Sequence, residues 1–414
     1  MKTRFDAVVV GAGPAGAATA ILLARAGWSV ALVERQRFPR RKVCGECIAA
    51  SNLPLLDALG VGAAFGRLAG AELRRVALMR GSETIVAPLP AADGAAQRYG
   101  RALGREHLDT MLAREAESAG ATLLQPWSLQ SIEGDSGRFR LRVQPVGAAA
   151  DAVSLDAALV VAAHGSWEPL PSERAVLRRA RKPSDLFAFK ANFRAAKIDA
   201  DLLPVLSFDG GYGGMVVADD GLATLACCIR EDRLERDRDA VPGERAGSVV
   251  EAILRRECAG VAAALEGASR EGAWLATGPI RPGVRLGAND GVFRVGNAAG
   301  EAHPIVGEGI SMALQSAFVL ASLVAPEREA LLDPASAAMA RSRLLQTYES
   351  RWRQRFARRL GIAAAFAQFA MRPWEAKAAW PVVEAWPGLL TRGARWSGKT
   401  RCVEEAFRWT RAAA

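Results

Sequence analysis

The first 33 residues follow a strand, turn, helix and strand pattern. Residues 5–10 are apolar apart from Asp6 and rich in valine, and this run stops at Gly11. Residues 17–26 have the composition of a helix, and residues 29–33 form a second strand-like run. Apolar runs punctuated by glycine in this order predict the beginning of a parallel, Rossmann-like sheet covered by helices.

The pattern changes between residues 186 and 274. Short apolar or alternating runs at residues 187–193, 205–217 and 222–229 are separated by glycine-rich turns. A helical stretch at residues 246–265 follows them. Because alternation over short runs is typical of half-buried strands, we expect a mixed β-sheet here, flanked by a helix and carrying the substrate.

The composition is that of a compact α/β protein. The chain has 414 residues with 50% hydrophobic residues and 40 glycines, and this length suggests two lobes. No apolar run reaches the roughly 18 to 20 residues that span a bilayer. Six scattered cysteines do not form a disulfide framework, so we expect reduced thiols and a cytoplasmic protein.

The positive charge is spread along the whole chain. A net charge of +10 therefore does not indicate a nucleic-acid partner, and we expect none. The densest arginine cluster, at residues 351–359, has helical spacing together with Trp352, Phe356 and Leu360. Such a helix lies either against anionic lipid or against the protein itself. The sequence carries no signal for an oligomeric state.

The first glycine turn has the GxGxxG spacing of a dinucleotide site. Gly11 permits the tight turn, Gly13 lets the backbone approach a pyrophosphate, and Gly16 lets the helix and strand pack closely. Free N–H groups at the start of the helix bind phosphate. Glu34, at the end of the second strand, is placed to accept a hydrogen bond from a ribose. The predicted site also includes Pro14, Ala15 and Arg35.

A second glycine-rich constellation lies at residues 292–310. A strand leads into a loop, and glycines then introduce a helix whose first N–H groups are free. Such groups stabilise negative charge on a reduced cofactor. The residues that we assign to this part of the site are Gly296, Asn297, Pro304, Gly307, Gly309 and Ile310.

Residues 40–47 crowd basic, thiol and acidic side chains around Gly45. The spacing of Cys44 and Cys47 is that of a redox dithiol, although the surrounding pattern is not that of a thioredoxin. A metal site would need a second ligand pair, and we expect no metal. Arg105, at the start of a predicted helix, is a candidate clamp for the cofactor.

Together these motifs resemble the large family of FAD enzymes that includes the aromatic and ubiquinone-type monooxygenases and the geranylgeranyl reductases. The resemblance covers residues 5–320 and implies FAD as the cofactor. It implies that the first glycine motif and Glu34 hold the adenosine diphosphate part and that Arg105 contacts the flavin side. It places Cys44 and Gly45 beside the flavin.

The second constellation has implied roles as well. Gly296 and Asn297 meet the ribityl and pyrophosphate region, and residues 304–310 pass beneath the isoalloxazine ring. Asn297 stands where the family usually has aspartate; it still hydrogen-bonds a hydroxyl but lacks the charge. His164-Gly165 stands where the family has an Asp-Gly motif tied to FAD and NAD(P)H use, which argues against direct NAD(P)H recognition.

The resemblance also implies the fold. We expect an α/β protein with a Rossmann-like FAD-binding domain, an inserted mixed β-sheet substrate domain and a C-terminal helical region, similar to p-hydroxybenzoate hydroxylase. The FAD-binding domain is discontinuous and comprises residues 1–70, 100–170 and 275–325. The substrate domain comprises residues 71–99 and 171–274, and the helical region comprises residues 326–414.

For function, we expect an FAD-dependent monooxygenase that uses NAD(P)H and O2 to hydroxylate a hydrophobic aromatic or polyketide-like small molecule. One alternative is a reductase or dehydrogenase of an alkene or prenyl-like lipid, similar to geranylgeranyl reductase. The substrate-side tyrosine, tryptophan and Phe-Pro pattern of those reductases is reduced here to residues 211–217. The related flavin halogenases carry a tryptophan-rich motif that we do not find. The candidate catalytic residues are His303, Glu308, Cys44 and Tyr212.

A third alternative is a non-catalytic, flavin-binding protein at a membrane surface. Peripheral membrane contact would be made by the C-terminal region, where Trp374, Trp380 and Trp386 lie. The same tryptophans also fit a lid over an apolar pocket.

Overall fold

Two seven-stranded sheets and a set of long C-terminal helices form the molecule. The computed structural model describes residues 2–92, 97–134, 138–147, 151–166, 170–171, 180–396, 400 and 402. The strands are β1 (Arg4–Val10), β2 (Val30–Val33), β3 (Cys47–Ile48), β4 (Arg75–Arg80), β5 (Glu83–Pro88), β6 (Arg101–Ala102), β7 (Thr122–Leu124), β8 (Trp127–Glu133), β9 (Phe139–Pro145), β10 (Val153–Ala162), β11 (Leu186–Arg194), β12 (Leu202–Phe208), β13 (Gly211–Val217), β14 (Ala223–Arg230), β15 (Ser269–Ile280), β16 (Gly283–Val284), β17 (Phe293–Arg294) and β18 (Gly300–Glu301).

Helices pack on one face of the first sheet and on both faces of the second, and the last three form the C-terminal end of the described chain. They are α1 (Pro14–Arg25), α2 (Leu53–Ala58), α3 (Gly62–Leu68), α4 (Arg105–Ser118), α5 (Glu231–Asp239), α6 (Ala246–Glu257), α7 (Ala259–Ala264), α8 (Gly309–Val324), α9 (Arg328–Leu332), α10 (Ala337–Ala370), α11 (Pro373–Ala385) and α12 (Gly388–Trp396).

The first sheet has the order β7-β2-β1-β10-β9-β8, with β17 also pairing β10. Strands β7, β2, β1, β10 and β17 run parallel, whereas β8 and β9 are antiparallel to their neighbours. Successive side chains of β1 point to opposite faces of the sheet. Val9 packs with α1 and α8 on one face, and Val8 packs with β9 on the other. Burial on both faces explains why Ala7 to Val10 of β1 are all apolar, since parallel strands are covered on both sides.

The second sheet has the order β15-β11-β14-β13-β12-β4-β5 and is antiparallel except between β12 and β4. One face packs against α6 and α7 through a core that includes Phe189, Leu225 and Ile253. The other face is turned towards Ala367 and Ala370 of α10. Strand β15 runs across residue 275, the predicted boundary between the substrate domain and the last part of the FAD-binding domain. The predicted division of the chain into domains stays a prediction.

Two local predictions need correction. The helical stretch at residues 246–265 is two helices, because the backbone of Cys258 is extended (φ −142°, ψ 98°) and separates α6 from α7. The expectation that no apolar run is long enough to span a bilayer is also wrong, because the helical segment Gly309–Leu332 is long and apolar enough to do so. In its most apolar window, however, 72% of residues are buried within the protein, as in the core helix of a folded domain.

The arginine-rich stretch at residues 351–359 lies within α10. Its apolar partners Trp352, Phe356 and Leu360 are buried in the core that contains α1 and α8. This stretch therefore packs against the protein itself, which decides between the two interpretations that the sequence left open.

A buried ion pair joins the two sheets. Glu46, in the loop after β2, accepts hydrogen bonds from the Lys190 ammonium on β11 and from Thr224 Oγ1 on β14 (2.6 Å). It also accepts the backbone N–H of Arg105 at the start of α4 (2.9 Å). Both charged side chains are fully enclosed, and charges that lack water need partners of this kind.

We predict that Lys190→Met destabilises the protein by about 3–5 kcal/mol, because it leaves the Glu46 carboxylate buried without its counter-charge. Urea unfolding followed by circular dichroism measures the change. The matched control is Lys197→Met, whose exposed partner Glu266 lies 2.7 Å away and whose loss costs below about 1 kcal/mol. Equal costs for the two variants would contradict the assigned role of the buried pair.

Candidate functional site

One cavity of about 600 Å³ lies between the two sheets and the C-terminal helices. Its first end is formed by the glycine turn, Lys42 and Arg105. Its middle is formed by the second glycine constellation and by Tyr212 of β13. Its far end is formed by apolar side chains of β4, β12 and the helices α10 to α12. The cavity thus joins the predicted nucleotide site to the sheet that we expected to carry the substrate.

The glycine turn has little room for side chains at two of its three glycines. Gly11 has φ +104°, and a Cβ there would lie 2.5 Å from the carbonyl oxygen of Ala163. A Cβ on Gly16 would lie 1.8 Å from the carbonyl oxygen of Gly11. Gly13 differs, because a Cβ there would meet only Arg105 Nη2, at 3.6 Å. Packing within the protein therefore does not require glycine at position 13. The absence of a side chain there leaves room in the cavity for a ligand to approach the backbone.

Helix α1 begins at Pro14 with no side-chain cap on its first N–H groups. Gly13, Pro14 and Ala15 line the cavity, so this helix end faces it. Uncapped N–H groups and the helix dipole together bind anions such as phosphate.

Glu34 and Arg35 do not line the cavity. Glu34 is buried, and its carboxylate accepts the backbone N–H groups of Ala12 and Gln36, each at 2.8 Å. It therefore holds the glycine turn against the end of β2. Arg35 is exposed. A hydrogen bond from a ribose hydroxyl to the Glu34 carboxylate stays a prediction.

Basic side chains gather at the nucleotide end of the cavity. Arg105 is buried and makes a two-pronged ion pair with Asp109 (2.7 and 2.8 Å). The Lys42 ammonium lies 3.3 Å from the position that a Cβ on Gly165 would take. Burial, and then the neighbouring charges of Arg105 and Arg40, lower the pKa of Lys42 to about 8. An anion placed here would restore the charge of this lysine.

The second glycine constellation forms the middle wall. Gly296 has φ +60°, and its N–H donates to Ser316 Oγ of α8 (2.9 Å). Asn297 Nδ2 donates to Ser166 Oγ (2.9 Å), and this hydroxyl donates to Glu301 (2.6 Å). Glu301 also pairs with Arg285 at 2.6 Å. Asn297 is therefore held in place by a network that a shorter or apolar side chain would not join.

The loop before α8 also borders the cavity. Gly307 is left-handed, with φ +63°, and α8 starts at Gly309 without a side-chain cap. A Cβ on Gly309 would meet no atom within 4 Å. Pro304 and Ile310 line the same wall. A second uncapped helix start thus points at the cavity, next to the predicted position of the ring.

Two candidate catalytic residues come together. The Tyr212 hydroxyl and His303 Nδ1 share a hydrogen bond of 3.2 Å, although 91 positions separate them in the chain. Burial lowers the pKa of His303 to about 4 and raises the pKa of Tyr212 well above 10. Cys228 lines the cavity beside them, and burial raises its pKa to about 12. All three groups are therefore neutral at pH 7.

The other two candidates are separate from this pair. Cys44 lines the cavity and accepts the backbone N–H of Glu46 at 3.4 Å. Cys44 and Cys47 are not joined in a disulfide. Glu308 is buried beneath the wall, 4.0 Å from Arg359 Nη1, and does not line the cavity. Within the described ranges, no group of three or more His, Cys, Asp or Glu side chains is placed to hold a metal ion.

The structure therefore gathers most of the predicted cofactor residues around one space. Those that line it are Gly13, Pro14, Ala15, Cys44, Gly45, Arg105, Gly296, Asn297, Pro304, Gly307, Gly309 and Ile310. Gly11, Gly16, Glu34 and Arg35 lie behind it or outside it. Lys42, Glu46 and Glu301 have no role predicted from sequence. Lys42 and Glu46 lie within residues 40–47, and Glu301 lies within the second glycine constellation.

A family model described as an FAD binding domain matches residues 4–361. The chain belongs to this FAD-binding family. The cavity fits the cofactor, because Gly13 and Gly309 leave open space in front of two uncapped helix starts and because basic side chains gather at the nucleotide end. FAD, when bound, would supply redox chemistry at this site.

Known relatives carry different chemistries. Menaquinone reductase of Mycobacterium tuberculosis is 31% identical over 165 residues, a match that covers 40% of this chain and only 38% of that protein. The myxobacterial chondrochloren halogenase CndH has a TM-score of 0.73 at 19% identity, over 100% of this chain and 97% of the halogenase. The FAD-dependent monooxygenase PqsL of Pseudomonas aeruginosa has a TM-score of 0.68 at 19% identity, over 91% and 100%. Such structural likeness shows the fold alone.

We predict that FAD binding weakens as the pH rises above about 8. In the free protein Lys42 loses its proton near that pH, and a bound pyrophosphate would raise its pKa again, so binding takes up a proton. The dissociation constant should then rise by up to about tenfold per pH unit between pH 8 and 9.5. Quenching of FAD fluorescence during titration measures it.

Lys42→Gln should remove this pH dependence and weaken FAD binding at pH 7. Lys197→Gln, an exposed lysine outside the cavity, is the control and should keep the wild-type profile. Identical slopes for wild type and Lys42→Gln between pH 8 and 9.5 would show that another group is responsible.

Proposed function

We propose that the protein is an FAD-dependent monooxygenase that hydroxylates a hydrophobic aromatic or polyketide-like small molecule. The overall reaction consumes one NAD(P)H, one proton and one O2 per substrate, inserts one oxygen atom into a C–H bond, and releases the other as water. The observation that carries this proposal is the apolar far end of the cavity, next to the predicted position of the flavin ring.

The side chains of that end exclude water. They include Leu78 on β4 and Val205 on β12, which lie on neighbouring strands of the second sheet. Helix α11 closes the space with Trp380, which is 5% exposed. A dry, apolar chamber beside a flavin delays loss of an oxygen-derived species to water, which hydroxylation requires. It also selects substrates that are mostly hydrocarbon.

Tyr212 and His303 would orient a polar group on such a substrate. His303 stays neutral, so its Nδ1 is either donor or acceptor according to the tautomer. When Nδ1 carries the proton and donates to Tyr212, the tyrosine O–H is shared between the Cys228 thiol and a substrate hydroxyl or carbonyl in the cavity. We therefore place the reacting end of the substrate near Tyr212, with its apolar remainder towards α10 to α12.

A second candidate is reduction of a carbon–carbon double bond. It is favoured by the same tyrosine, which burial keeps protonated. In that reaction a hydride equivalent that originates from NAD(P)H adds to one carbon, and a proton from the Tyr212 hydroxyl adds to the other. The hydroxyl would recover its proton from solvent through His303. The electron donor is proposed to be NAD(P)H in both reactions.

Oxygen dependence separates the two reactions. With apolar phenols and prenylated quinones as trial substrates, we predict that NAD(P)H oxidation by the FAD-loaded protein yields hydroxylated product in air and none under argon. Mass spectrometry of the product in 18O2 should show a gain of one labelled oxygen atom. A product that gains two hydrogens equally well under argon would identify the reductase and contradict hydroxylation.

We predict that Tyr212→Phe retains FAD binding but loses productive positioning of the substrate. In hydroxylation, NAD(P)H consumption should continue while product per NAD(P)H falls about tenfold or more, because one lost hydrogen bond to a substrate hydroxyl costs about 1.4 kcal/mol. Hydrogen peroxide should account for the difference. In double-bond reduction, the same variant would instead lower kcat without peroxide release.

A further inference from the structure

The mouth of the cavity is rimmed by exposed apolar side chains. Four residues both line the cavity and belong to the large hydrophobic side chains that solvent reaches: Phe366 (37% exposed), Phe369 (37%), Leu389 (37%) and Trp396 (63%). A side chain that does both lies where the cavity opens. The opening is therefore formed by α10 and α12.

The same region carries further exposed aromatic residues that point away from the cavity. Trp374 and Trp386, at the two ends of α11, are 71% and 67% exposed and do not line it. Val382, between them on α11, is 47% exposed. We call the set of Phe366, Phe369, Trp374, Val382, Trp386, Leu389 and Trp396 the aromatic patch.

The patch is a concentration of apolar surface and not a random scatter. Of the thirteen large exposed hydrophobic side chains in the described part of the chain, seven belong to it, including every exposed phenylalanine and tryptophan. Single exposed hydrophobic residues are normal on a protein surface, but a contiguous group marks an interaction site.

Positive charge accompanies the aromatic patch. Lys377 on α11 and Arg392 and Arg395 on α12 are exposed. Of the two acids on these helices, Glu375 pairs with Arg372 at 2.6 Å, which leaves Glu384 as the opposing charge. Tryptophan beside lysine and arginine is the combination that prefers the interface between anionic headgroups and acyl chains.

We propose that α11 and α12 dock on an anionic lipid surface, with the aromatic patch in the headgroup region and the mouth of the cavity against the lipid. Helices of 13 and 9 residues are too short to cross a bilayer, so the contact is peripheral. A second copy of the chain is a poorer occupant, because two identical basic patches would face each other with like charge. The docking itself does not depend on the reaction proposed above, although it would bring an apolar substrate directly to the cavity.

Flotation of the full-length, FAD-loaded protein with vesicles tests the docking. Vesicles of phosphatidylcholine with about 30% phosphatidylglycerol should carry the protein to the top of the gradient, and pure phosphatidylcholine should carry much less, with binding falling as salt rises. The double variant Trp374→Ser/Trp386→Ser should reduce the bound fraction about tenfold or more. Its unfolding temperature and visible FAD spectrum should match the wild type, because both side chains are exposed.

The matched control is Met339→Ser/Val284→Ser, which removes two exposed apolar side chains outside the patch and should leave flotation unchanged. Vesicles with brominated acyl chains should quench the tryptophan fluorescence of the wild type, and the double tryptophan variant should lose most of this quenching. Equal flotation of wild type and the tryptophan variant, or no flotation of the wild type, would overturn the proposal.

Light scattering on the same samples identifies the competing occupant. If the wild type is a dimer that the tryptophan variant converts to a monomer, and neither floats, the patch is an interface between copies and the lipid proposal fails. Because flotation requires no substrate, failure of the proposed hydroxylation would leave this result unaffected, and the two proposals can fail independently.

Discussion

The cavity exists in its observed form because the loop after β2 is attached to the second sheet. Glu46 holds this loop by accepting hydrogen bonds from β11, β14 and the start of α4 at once. Its own backbone is left-handed, with φ 59°, an uncommon conformation for a residue other than glycine. The conformation persists because a fully enclosed carboxylate has no other set of partners available. Lys42 and Cys44, four and two residues earlier, owe their positions at the cavity to this attachment.

Along the cavity the chemical environment changes in an order that suits a flavoenzyme. Cations and the uncapped start of α1 lie at the nucleotide end, Asn297, Tyr212 and the uncapped start of α8 in the middle, and hydrocarbon at the mouth. Tyr212 and its partner His303 are neutral because burial acts in opposite directions on their pKa values. Burial disfavours the imidazolium of one and the phenolate of the other. The same low polarity that keeps water from the reacting end therefore also sets the protonation of the side chains there.

Features with local causes were predictable from the sequence. The turn at Gly11, the start of α1 and the uncapped start of α8 depend on residues within a few positions of each other, and glycine spacing reports them directly. Predictions that required knowledge of distant neighbours were less secure. Residues 246–265 are helical except at Cys258. There the backbone pairs with Gly81, in the turn between β4 and β5, and this distant contact separates α6 from α7. The contact of the Glu34 carboxylate with the glycine turn is a tertiary feature of the same kind, and its role towards a ribose stays a prediction.

The sequence by itself determined the two glycine-rich helix starts and the prediction that they face a dinucleotide, because steric limits on the backbone and free N–H groups are properties of short segments. Tertiary structure alone decided that Tyr212 meets His303, that Glu46 meets Lys190, and that Trp380 turns inward while Trp374 and Trp386 face outward. These outcomes depend on how two sheets and a helical end pack together. Hydrophobic burial drives that packing without regard to distance along the chain, so no local pattern records it.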